Sequence, residues 1–111
     1  MSNPQSRIHQ DWRHAESARA AFSRDLNLRL DTVRRCATHL AERGIFVAAV
    51  DLRIGAPGKP VITVPPSPYL HILFKDDASS GRHWDHLMGR TSLDFVAVHL
   101  GCEVRWSEVV Q

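Results

Sequence analysis

The sequence predicts an α+β fold: a long N-terminal helix plus a short helix packed on a small, mainly antiparallel sheet, in the order α-β-β-β-α-β. Three observations carry this reading. Apolar residues recur every three or four positions from Trp12 to Leu40. Gly44 ends that pattern. From Ile45 onward, short runs rich in Val, Ile and Phe are separated by Gly and Pro. At 111 residues the chain has enough length for one core. We assign 1–11 to a flexible N-terminus and 12–111 to a single α+β domain.

In the first element, Trp12, Ala15, Ala18, Phe22, Leu26, Leu30, Val33, Ala37 and Leu40 stay within a sector of roughly 120° when projected at about 100° per residue. No Pro or Gly interrupts them before Gly44, which stands where a C′ glycine belongs. One helix over 12–43 is the economical reading. A break near Arg24–Asn27, with Asp25 or Asn27 as a second N-cap, is the alternative. Such a helix, about 45 Å long, outruns strands of five or six residues. Its first turns therefore overhang, and Trp12 and Phe22 become the expected seam of a homodimer.

The rest of the chain reads as sheet. Phe46, Ala48, Val50, Leu52 and Ile54 alternate with Ile45, Val47 and Ala49, predicting a first strand over 45–54. Gly55–Pro60 is a hairpin loop and Val61–Val64 the returning strand. Pro65-Pro66-Ser67-Pro68 then leads to a third strand over 69–74. Residues 75–89 are polar and poorly periodic, which predicts a long loop, the kind of segment that often carries function. Thr91-Ser92-Leu93-Asp94 fits a helix-start signal, with Leu93, Val96, Ala97 and Leu100 at helical spacing. We read 92–100 as the short helix, although its β-branched residues also suit a strand. Cys102, Val104 and Trp106 alternate with Glu103 and Arg105 in a last strand.

Composition narrows function without naming it. Residues 1–44 hold eight Arg against five acids, a balance of +3, while 45–111 hold six bases against seven acids. The basic surface is therefore N-terminal. Arg13, Arg24 and Arg35 lie eleven residues apart, close to three helical turns, and line up away from the core as a candidate ladder for nucleic-acid phosphates. Asp31 and Glu42 share that face, and Asp31–Arg35, Asp25–Arg29 and Glu16–Arg19 stand at self-pairing distances, so a solvated salt-bridged face is the competing account. In the 75–89 segment, Arg82, His83 and Trp84 form the triplet best suited to a protein hot spot.

Seven histidines raise the question of metal. His83, Asp85 and His86, with His71 brought alongside, are the candidate ligands, but His-x-x-His with no second ligand pair is a weak pattern. No Gly-x-Ser-x-Gly elbow, phosphate-binding loop, dinucleotide fingerprint or Cys-x-x-Cys is present. The expectation is a small non-enzymatic binding or regulatory protein without a cofactor, a homodimer that engages nucleic acid. The alternatives are a module docking another protein through residues 75–90 and, last, a metal-dependent hydrolase. No apolar run approaches the ~20 residues of a membrane span, and the first residues lack the apolar stretch of a secretory leader. A cytoplasmic protein with no membrane partner follows, with Cys36 and Cys102 as buried thiols.

Overall fold

The computed structural model describes the backbone of residues 4–110 and the side chains of 11–110. Part of the N-terminal segment 1–11, expected to be flexible, thus lies outside the described residues. The described part is helical from Pro4. Helix α1 runs Pro4–Glu42 without a break. Asp25 is no cap: its carboxylate accepts from the Gly55 amide at 3.0 Å and from Arg29 Nε at 2.9 Å. The C-terminus is a Schellman motif, in which the Gly44 amide donates to the Ala41 carbonyl and the Ile45 amide to the Leu40 carbonyl. Gly44 has φ 78°, a region an L side chain enters only with strain. Leu40 and Ile45, the apolar pair that flanks this motif, are both buried.

The remaining elements are β1 (Ala49–Asp51), β2 (Val61–Thr63), α2 (Pro68–Leu73), β3 (Ser79–Asp85), β4 (Arg90–His99) and β5 (Cys102–Val109). They form one sheet in the order β1-β2-β5-β4-β3, antiparallel except where β2 meets β5. The α+β class holds, with its long helix, short helix and mostly antiparallel sheet. The order of elements is instead α-β-β-α-β-β-β, and three segments change identity.

In the segment 69–74, expected as a strand, residues 69–73 belong to α2 and Phe74 is its C-cap. Ser67 is its N-cap, accepting from the Tyr69 amide at 3.2 Å, and Pro68 opens the first turn. Leu70 and Phe74 are buried and Leu73 packs against the core, a spacing of three and four. The expected short helix over 92–100 is strand β4: Phe95, Ala97 and His99 pair across the sheet with Trp106, Val104 and Cys102. Asp94 does not cap a helix but accepts from Ser107 Oγ at 2.6 Å. The long loop expected over 75–89 contains β3, an edge strand whose side chains are nearly all exposed, which is why no apolar alternation marks it. The first strand, expected over 45–54, shrinks to Ala49–Asp51, with Ile45 used by the helix end and Phe46 70% exposed.

The core lies on one face of the sheet. Cys36 and Leu40 of α1 and Leu70 of α2, with Phe74 just beyond it, meet Ile62, Ala97, Cys102, Val104 and Trp106. Register explains the set: Ile62 stands beside Val104, and Val104 beside Ala97, in one row. β4 turns into β5 through Leu100 (φ 48°) and Gly101 (φ 83°), the two positive angles of a type I′ hairpin turn. The β1–β2 loop is fastened to α1 by Arg29, whose guanidinium donates to the carbonyls of Leu52, Ala56 and Gly58. Among the described residues, no helix is long and apolar enough to cross a membrane.

Candidate functional site

The feature that stands out is what the sheet leaves uncovered. The stripe that buries Leu40 and half-buries Val33 and Leu26 continues along the same face of α1 through Phe22, Ala18 and Ala15. Among the described residues nothing reaches it there. Between residues 11 and 24 every side chain is exposed except half-buried Ala15, with Trp12 at 60% and Phe22 at 54%. The two expected seam residues are thus placed together on a projecting helix with their rings in solvent. The helix holds its shape there because it contains no Gly or Pro after Pro4.

Arg13, Arg24 and Arg35 are all exposed on the side of α1 roughly 180° from the centre of the stripe. Among the described residues none of the three has a carboxylate within 4.0 Å. Their surroundings differ. Arg35 lines an open groove of about 510 Å³ with Asp31, Arg34, Thr38, His39, Glu42 and Leu100. Asp31 in that groove pairs with Arg34, at 3.5 Å, rather than with Arg35. The row is therefore freest at Arg13 and Arg24 and diluted by acids at Arg35.

The triplet Arg82, His83 and Trp84 is divided by strand geometry. Arg82 and Trp84 stand opposite Leu93 and Thr91, on the face that carries Phe95 and Trp106, while His83 stands opposite Ser92 on the other face. The indole Nε1 of Trp84 donates to His86 Nδ1 at 3.1 Å. Leu87 and Met88, at the hairpin end, are 96% and 59% exposed.

Three of the four candidate metal ligands have other partners, and the fourth, His83, lies on the other face of β3. His71 Nε2 lies 2.5 Å from Glu108 Oε1, and its ring meets Phe95 and Trp106 edge-on. His83 points away from that face. Asp85 caps the hairpin turn, accepting from the Leu87 and Met88 amides. His86 Nδ1 accepts a hydrogen bond from the Trp84 indole. Among the described residues no group of three His, Cys, Asp or Glu is placed to hold an ion.

Two pairs escaped the sequence reading. Glu108 continues the inward period of Cys102, Val104 and Trp106, and that period was the signal that put it on the helix-covered face near His71. His39 and His99 meet at 2.7 Å between the last turns of α1 and the end of β4, 60 residues apart. Burial, then the neighbouring His39 and Arg43, lower the His99 pKa below 6.5, with Asp77 opposing. The two imidazoles share one hydrogen bond and join the last turns of α1 to the end of β4. Compared with known proteins, the chain matches no family model, no curated protein and no solved structure.

Proposed function

We propose that this chain is a non-enzymatic binding protein that works as a homodimer joined through the projecting half of α1. The observation that carries this reading is the continuation of the core stripe beyond the sheet, with Trp12 and Phe22 exposed on it. A second copy supplies a matching stripe about a two-fold axis, so each projecting half covers the other. Aromatic side chains bury about 150–250 Å² each. With Trp12 60% and Phe22 54% exposed, four such rings have a little over half of that area left to bury, roughly a third to a half of the ~1,200 Å² at the low end of specific interfaces. Phe22→Asp places a carboxylate in that seam and raises the dissociation constant by at least about 100-fold, since desolvating it costs several kcal/mol. Sedimentation equilibrium reads this directly. A wild-type protein that runs as a clean monomer at tens of micromolar overturns the reading.

A second reading, that the dimer engages nucleic acid, is supported by the exposed row of Arg13, Arg24 and Arg35, in which Arg35 shares its groove with Asp31 and Glu42. Because that row lies opposite the apolar stripe, pairing through the stripe leaves it open. Binding of this kind is insensitive to sequence and falls steeply with salt, because released counterions supply the affinity. Charge reversal at all three arginines removes it. Affinity for duplex or single-stranded DNA that is unchanged between about 50 and 200 mM salt, or that survives the triple change, excludes this face.

A further inference from the structure

The chain has two cysteines, far apart in sequence, and the fold brings them together. Cys36 lies on the anchored part of α1 and Cys102 opens β5, and both are completely buried in the same core cluster. Cys102 is the register partner of His99, and the Cys36 thiol donates to the His99 carbonyl at 3.3 Å. Cys102 lies near enough to the Cys36 thiol to add, after burial, to the rise in its pKa. The hairpin turn beside them is tightly seated: a Cβ on Gly101 would stand 3.0 Å from Thr32 Cγ2, so helix and turn sit at close range.

We propose that Cys36 and Cys102 form a reversible disulfide that staples α1 to the β4–β5 hairpin. The co-reactant is a low-molecular-weight disulfide. One cysteine, as thiolate, attacks it to give a mixed disulfide and one small thiol. The second cysteine then displaces the other small thiol. The S–S bond of the reagent is reduced, a protein S–S bond forms, and both protein protons leave with the two small thiols. Burial suppresses the first step in the closed fold: it pushes the Cys36 thiol up to about 12 and raises that of Cys102 as well. Exchange therefore proceeds through opening of the α1–hairpin contact, or during folding, and the closed bond then holds the contact shut. The staple fixes the anchored half of α1 and is independent of whether the projecting half pairs with a second copy.

The experiment is refolding of the full chain in a glutathione buffer rich in the oxidised form, followed by alkylation in denaturant and intact-mass measurement. The expected product is a chain with no alkyl adduct, lighter than the reduced protein by about two mass units and restored by dithiothreitol. Its melting temperature rises on the order of 10 °C over the reduced form, as closing a loop this long predicts. Cys36→Ser and Cys102→Ser each lose the intramolecular bond and the rise. A wild-type chain that refolds in this buffer with both thiols still open to alkylation overturns the proposal. So does one that carries glutathione on each cysteine, or cross-links only between chains. Because the readout is mass, a serine variant that fails to fold leaves the wild-type result decisive.

Discussion

The two halves of α1 carry the same apolar spacing and meet different fates. Over residues 25–42 the stripe finds a sheet: Cys36 and Leu40 are buried, and Arg29 and His39 tie the helix to the β1–β2 loop and to β4. Over residues 11–24 the stripe is as regular, yet Trp12 and Phe22 stand in solvent. Periodicity selects which face of a helix is apolar. Where the sheet ends decides which part of that face is covered, and that boundary is set by residues far along the chain.

The comparison is tested most severely by truncating one side chain in each half. Leu40→Ala removes a fully buried side chain from the junction of α1, α2 and the sheet and costs about 2–5 kcal/mol in urea unfolding. Phe22→Ala, measured at a concentration low enough to hold the chain monomeric, changes stability by less than about 0.5 kcal/mol, as an exposed substitution does. Equal losses at the two positions would mean that the projecting half is packed within the monomer.

A smaller effect follows from the clamp at the start of the anchored half. Arg29→Ala removes three hydrogen bonds to loop carbonyls and the partner of Asp25, a loss of about 1–3 kcal/mol because those bonds lie at the half-exposed rim. The Gly55 amide and then Arg29 hold the Asp25 carboxyl below its usual 3.8. A depressed carboxylate stabilises the fold above its unfolded pKa, and the contribution is lost as pH falls through the folded value. In the Arg29 variant the acid limb of the stability curve moves toward higher pH. Hydrogen exchange at Gly55 provides a local readout, with protection lost in the variant.

Several of these features were legible in the sequence. The α1 stripe, its end at Gly44 and the inward set of β5 follow from spacing alone. Ser67-Pro68 is a helix-start signal, and Leu70, Leu73 and Phe74 fit one helix face, but the reading of 69–74 as a third strand after the proline run took account of neither. β3 was illegible for a physical reason: an edge strand exposed on both faces needs no apolar alternation. In β4 the capping pattern at Thr91 competed with the β-branched Val96 and Val98, and pairing with β5 decided for the strand. The candidate surface at Trp12 and Phe22 was readable because overhang follows from helix length. The His39–His99 and His71–Glu108 pairs were not, since each joins residues whose meeting depends on the whole topology.

At the hairpin that receives the anchored half, Gly101→Ala carries two penalties. Its φ of 83° disfavours an L residue, and the new Cβ meets Thr32 Cγ2 at 3.0 Å. The expected cost is about 1–2 kcal/mol. Thr32→Ser in the same chain recovers the steric part and leaves the backbone part, because it deletes the methyl and keeps the hydroxyl that donates to the Leu28 carbonyl. Full recovery would show that the turn tolerates alanine without strain.

The smallest expected effect is a pH dependence confined to the anchored end. His99 faces the His39 ring, the Arg43 guanidinium, the Asp77 carboxylate and the edge of Phe74. Burial, then the neighbouring His39 and Arg43, lower its pKa below 6.5, against the pull of Asp77. Between the folded and unfolded values the unfolded chain therefore binds more protons, so stability rises with pH in that window. The contribution is complete above 6.5, declines as pH falls toward the folded value and is constant below it. Geometry adds to this: the hydrogen bond between His39 Nδ1 and His99 Nε2 needs one donor and one acceptor, and two imidazolium rings offer no acceptor. His99→Gln keeps a polar partner for His39 and removes the titration. Urea unfolding at about pH 7.5 and about pH 5.5 should show the wild type losing stability at the lower value and the variant losing less. The projecting half reports separately, because the rings of Trp12 and Phe22 are far from these histidines along the helix. Phe22→Asp should leave the pH-dependent loss unchanged. A loss that vanishes in that variant would place the titrating group in the seam between copies, and not where α1 meets the sheet.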